Sequence, residues 1–204
     1  MSFQLPDNDD NLTPSDLRRL TNTLIADVLH MLRHCKDSDV TFEPVDPQAN
    51  DPAAARADEA GIAWTLGHII VHMTASSEES AALAAELARG VEYHGRSRSE
   101  TPWQTMKTVA QCRARLEESR RMRLASLQMW PDTPYLVNTY TPREGARPVG
   151  PIARFLSGLR HDASHLNQLQ DVIGQARTAR LQRTFLGRVR LRLQKRGTAH
   201  HAGS

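Results

Sequence analysis

Apolar residues recur in steps of three and four along four stretches of the chain. The first stripe is Leu17, Leu20, Leu24, Val28, Met31 and Cys35. That spacing is the period of an amphipathic helix. Thr13 is placed to cap it, with Pro14 at the first helical position and Asp16 in the first turn. The second stripe starts at Thr65, runs through Ile69, Met73, Ser76, Ser80, Leu83 and Leu87, and stops near Gly90. Trp64, just ahead of the cap, is positioned to pack on Ile69 as a hydrophobic staple. A third helix is expected over roughly 103–130, with Met106, Val109, Cys112, Leu116, Leu124 and Leu127 apolar. Its charged middle, Arg113–Arg123, reads as a solvated face. The fourth runs from about Pro151 to Gln175 on Leu156, Leu159, Ala163 and Leu166, with Leu169 at the edge. Beyond Gln175, apolar residues recur at Leu181, Phe185, Val189 and Leu193 with arginine between them, the pattern of a basic amphipathic helix.

Three polar interruptions separate these stretches. Residues 37–61 are rich in Pro, Asp and Ala, residues 90–102 are polar, and residues 131–151 hold five prolines and two glycines around a short β-rich core, Tyr135–Tyr140. All three read as loops. The fold class that follows is all-α: a four-helix bundle with long connections and an additional C-terminal basic amphipathic helix. The expected division is a flexible N-terminus at 1–12, a bundle over 13–176, and a basic tail over 177–204.

Composition agrees with one helical domain. The chain has 204 residues and only 5% aromatics. Its net charge of +3 is unevenly spread. Residues 177–196 carry eight Arg or Lys and no acid, which leaves 18 basic against 23 acidic residues elsewhere, a body at −5. A nucleic-acid partner is therefore not expected for the body. No apolar run approaches the ~18 residues of a membrane span. The first residues are acidic and polar, without a basic-then-apolar leader, so the cytoplasm is the expected compartment. Cys35 and Cys112 fall in helical patterns without a CxxC and are expected to be buried thiols. The extra helix offers a surface for a homodimer. Glycine-rich nucleotide loops, a GxSxG elbow and paired Glu-x-x-His motifs are absent from the sequence.

The chemistry concentrates in two His pairs, each spaced i, i+4: His68 with His72, and His161 with His165. On a helix such a pair presents both imidazoles on one side, ~5–6 Å apart at Cβ. Neutral imidazole is the commonest protein ligand for zinc, nickel and similar ions. On a helical wheel the later pair lies nearly opposite its apolar stripe, while His72 and His68 lie about 60° and 100° off theirs. The pairs thus face either solvent or a polar, water-filled cleft. Facing helices of a bundle commonly hold metal sites between them.

Trp64–Met73 (WTLGHIIVHM) followed by Thr74–Glu79 resembles the second-helix signature of the DinB/YfiT-like superfamily, four-helix-bundle metalloproteins. There a Trp-Ser/Thr start leads through an apolar stretch to a ligand His. His161–Leu169 (HDASHLNQL) resembles the last-helix signature: a His, a second His four residues on, then often Gln or His three further. The resemblance covers roughly residues 13–176. It implies a divalent metal ion, zinc or nickel, on His72, His161 and His165, with Gln168 at the polar position after the pair. His68 matches no ligand position; it is left as a fourth ligand, a supporting donor or an exposed side chain. Asp162, which follows His161 directly and so points about 100° away, is the weaker of two supporting candidates beside Gln168. The superfamily includes thiol-dependent S-transferases and isomerases that use low-molecular-weight bacterial thiols. The resemblance therefore implies a small-molecule substrate and a metal-dependent transferase or hydrolase. The alternative is a non-catalytic bundle whose Arg-rich helix docks a partner or second subunit.

Overall fold

Helix α1 (Pro14–Met31) begins at a capping box. The Thr13 hydroxyl accepts the Asp16 N–H at 3.2 Å, and the Asp16 carboxylate accepts the Thr13 N–H at 3.1 Å. The computed structural model describes residues 4–6, 12–50, 60–97 and 101–201, with side chains as far as Phe185. The expected flexible N-terminus falls mostly outside these residues. After α1 the chain tightens into a 3-10 turn (Leu32–His34), then forms the short helix α2 (Asp37–Val40). Helix α3 (Leu66–Ala88) follows, then a 3-10 turn at Trp103–Thr105, α4 (Val109–Gln128), α5 (Pro151–Ser164) and α6 (Leu166–His201).

Helix α3 packs mainly on α5 and α4, and α1 packs on the same two helices. That arrangement places α1 diagonal to α3, and α4 diagonal to α5. The two long connections after α1 and α4 therefore each cross a diagonal, which short loops do not reach. The core lies in two apolar clusters. One gathers Ile25, Val28, Ile69, Met73, Leu116 and Leu169; the other gathers Leu17, Leu24, Ala84, Leu127, Phe155 and Leu159. Along the helices a polar layer lies between them: Ser77, Ser119, Arg123 and Asp162 are all buried. Gly158 sets the spacing of α3 and α5. A Cβ there would stand 2.8 Å from Ser80 Cβ and 3.0 Å from Ser77 Cα, so only glycine allows this approach.

Several expectations change. The third helix starts at Val109 rather than 103, because Thr108 and Gln111 form a capping box there. The turn at Trp103 is freed to lie over the start of α3, where Met106 closes on Gly67. The first helix ends at Met31, short of Cys35. Cys112 is buried but Cys35 only half-buried. The charged middle of α4 is not uniformly solvated: Arg123 is 1% exposed, and Arg115 reaches back to Glu78 and Thr74 on α3. The fourth helix does not run unbroken to Gln175. At His165 the backbone tightens: its N–H reaches the Asp162 carbonyl at 3.1 Å, and Ser164 Oγ donates to the His161 carbonyl at 2.6 Å. Such back-bonding bends helices. Helix α6 then continues through the tail, with Leu181 and Phe185 exposed. Arg180 ties it to the body through a 3.2 Å ion pair with Asp39. The side chains of Val189 and Leu193 lie outside the described residues. No helix among the described residues is long and apolar enough to cross a membrane.

Candidate metal centre

Helix α3 delivers His72, and the α5–α6 junction delivers His161 and His165. Thr65 starts α3 by accepting the His68 N–H at 3.3 Å, which fixes the register of both α3 histidines. His72, His161 and His165 are half-buried and offer ligand atoms that all lie within 4.8 Å of one another. Their ring centroids form a tight triangle, at 4.8, 5.1 and 4.8 Å. The two Nε2 atoms of His72 and His161 face each other at 3.0 Å.

These residues fit a divalent ion. Two nitrogens bound ~2.0–2.1 Å from one ion stand about 2.9–3.4 Å apart in octahedral or tetrahedral arrangements. The 3.0 Å spacing of His72 and His161 lies in that range. The ligand atom of His165 lies within 4.8 Å of the other two. Three neutral nitrogen donors suit a transition-metal ion better than hard cations that take oxygen.

Each ligand candidate has a distinct setting. His165 Nδ1 lies 2.9 Å from Gln168 Oε1. The amide oxygen accepts, so Nδ1 carries the proton and Nε2 keeps its lone pair for a ligand. Burial lowers the His165 pKa below the usual histidine value, and the neighbouring His161 and His72 add to that, while the Gln168 bond opposes it. That direction favours the neutral form of the ring. His161 is 31% exposed. Asp162, one residue on, turns inward: its carboxylate meets Arg123 Nη1 at 2.7 Å, and Oδ1 stands 3.8 Å from His161 Nδ1.

Trp64 closes one flank, and its ring contacts are with imidazoles. It stacks on His68 at 4.6 Å and on His165 at 5.6 Å, and tilts against His72 at 4.5 Å. His68 goes elsewhere than its i+4 partner. It lies between Trp64 and Trp103, 4.7 Å from the latter and nearly parallel to it, and is buried. On the wheel it lies farther from the α3 apolar stripe than His72 does; Trp103, arriving from the loop, supplies the cover. The buried His68 is not among the three converging ligand atoms. Trp103 and Arg123 are two residues around the site that sequence reasoning missed. Nothing in the local pattern marks them, since one comes from a loop and the other sits inside a charge run.

The family profile of the DinB superfamily matches residues 19–169. Comparison with curated proteins and with solved structures returned no match. With a helical bundle, a three-His group and a profile match spanning most of the bundle, the chain belongs to the DinB superfamily.

Proposed function

We propose that this chain holds one divalent metal ion, zinc or nickel, on His72, His161 and His165, and that it serves a thiol-dependent S-transfer or a related hydrolysis. The observation that carries this reading is the convergence of three imidazoles from α3 and the α5–α6 junction within 4.8 Å. When bound, such an ion supplies Lewis acidity that brings the pKa of an adjacent water or thiol toward neutrality. The chain supplies the rest. Three neutral ligands leave the ion's charge undiminished, and Gln168 fixes the ring of His165. Trp64 forms an apolar wall that restricts water on one flank. The exposed edge of His161 is the side from which a small molecule enters. A low-molecular-weight thiol is the favoured substrate class, following the activities of the thiol-using superfamily members. Metal analysis of protein purified without a His-tag or nickel column tests the first half, with one ion per chain expected. Trace metal, unchanged in a triple His→Ala variant, would defeat it. Metal-dependent consumption of a small thiol in the presence of an electrophile tests the second.

One observation favours a second role for the tail. Leu181 and Phe185 stand exposed on an arginine-rich helix. Such a face suits an acidic partner surface, and the acidic body of a second copy offers one. Sedimentation of the full chain and of a truncation after Arg183, which keeps the Arg180–Asp39 pair, distinguishes them. A dimer lost on truncation with metal content intact supports docking through the tail.

A further inference from the structure

The polar layer between the two apolar clusters contains a carboxylate whose position bears on the histidines. Asp162 is 1% exposed, and its Oδ2 accepts from Arg123 Nη1 at 2.7 Å. Its Oδ1 lies 2.6 Å from Ser77 Oγ. Arg123 is equally buried, and its Nε donates to Ser119 Oγ at 2.9 Å. The set spans the bundle diagonal from α4 to α5 and takes in α3. Its net worth to stability is small on general grounds, since apolar residues of similar volume often replace a buried ion pair without loss. Its worth to the site is clearer.

Asp162 Oδ1 stands 3.8 Å from His161 Nδ1. That nitrogen is buried and makes no hydrogen bond, while Nε2 on the other side of the ring faces His72 at 3.0 Å. A lone pair on Nδ1 would face the carboxylate and be repelled; an N–H would be attracted. The proton therefore belongs on Nδ1, and the lone pair on Nε2. Closing 3.8 Å to the ~2.9 Å of a hydrogen bond requires only a small swing of the ring.

We propose that Asp162, clamped by Arg123 and Ser77, is a positioning residue that fixes His161 as the Nδ1–H tautomer and aims its Nε2 at the ion. This rests on the three-His reading of the site. It assigns the two α5–α6 ligands different supports: a neutral amide, Gln168, behind His165, and a buried carboxylate behind His161. A carboxylate in that place orients its imidazole and makes it a stronger donor.

Two measurements on the full chain test this. In wild-type protein loaded with zinc and labelled with 15N-histidine, long-range proton–nitrogen correlation should show His161 protonated on Nδ1 and zinc-bound through Nε2. A proton on Nε2, or zinc on Nδ1, overturns the proposal and needs no variant to fold. The second measurement compares zinc affinity by chelator competition, with the metal-free melting temperature as the check on folding. Arg123→Met/Asp162→Leu removes both charges together and should bind zinc ~10–100-fold more weakly. Arg123→Met/Asp162→Asn keeps an acceptor oxygen in place and should recover part of that loss. Folded variants with wild-type affinity would overturn the positioning role alone. A wild type that takes up no zinc would overturn the metal reading and this proposal with it.

Discussion

The two His-x-x-x-His segments have the same spacing and opposite outcomes. On α3 the backbone is regular, and its two imidazoles part company: His72 joins the site, and His68 is stacked between Trp64 and Trp103. At the α5–α6 junction the backbone tightens at His165, and both imidazoles converge on His72. Spacing alone therefore does not make a ligand pair. What the rings meet differs: His68 lies between Trp64 and Trp103, while Gln168 Oε1 stands 2.9 Å from His165 Nδ1 and Asp162 Oδ1 stands 3.8 Å from His161 Nδ1. An acceptor behind one ring nitrogen aims the other.

Removing ligands should break the symmetry most sharply. His72→Ala, His161→Ala or His165→Ala should each weaken zinc binding by more than ~100-fold in chelator competition. His68→Ala should keep one ion per chain and lose only stability, about 1–3 kcal/mol in denaturant melts. A His68 variant that loses metal as completely as His72→Ala would restore the four-His view. Next is the contact that brings the segments together. Gly158→Ala forces a methyl to within 2.8 Å of Ser80 Cβ, so unfolding free energy should fall by ~1–3 kcal/mol. Gln168→Leu should then cost roughly 10-fold in metal affinity with the metal-free melting temperature little changed.

Smaller effects follow from ionisation. The folded pKa of His165 lies below its unfolded value near 6.5, chiefly through burial. Unfolding then takes up a proton that the fold resists, so stability of the metal-free protein is full above pH ~6.5 and falls as pH drops through the lowered pKa. Melting temperatures from pH 7.5 to 5 should show this decline, and His165→Gln should flatten it. The smallest signal is at the thiols. Burial pushes Cys112 up to about 12 and also raises Cys35, so neither should react quickly with a thiol reagent at pH 8 in the folded protein.

Much of this was written locally in the sequence. Thr13 with Pro14 and Asp16, and Thr65 ahead of α3, mark helix starts through hydrogen bonds made within one turn. The i, i+4 histidines and Gln168 are likewise local. What escaped were contacts made across long separations. Trp103 reaches His68 from another connection, and Arg123 reaches Asp162 thirty-nine positions on. In a helix full of arginines and glutamates, one buried guanidinium looks like its neighbours until its partner arrives. The break at His165 was hidden for a different reason. It contains neither Gly nor Pro, and a serine hydroxyl turned back on the His161 carbonyl accompanies it.

The most direct measurement is diffraction from crystals of tag-free protein grown with zinc, recorded on both sides of the zinc absorption edge. One anomalous peak is expected at ~2.0–2.2 Å from a ring nitrogen of each of His72, His161 and His165, with His68 still between the two tryptophans. A peak coordinated by His68, or none among these three rings, would contradict it.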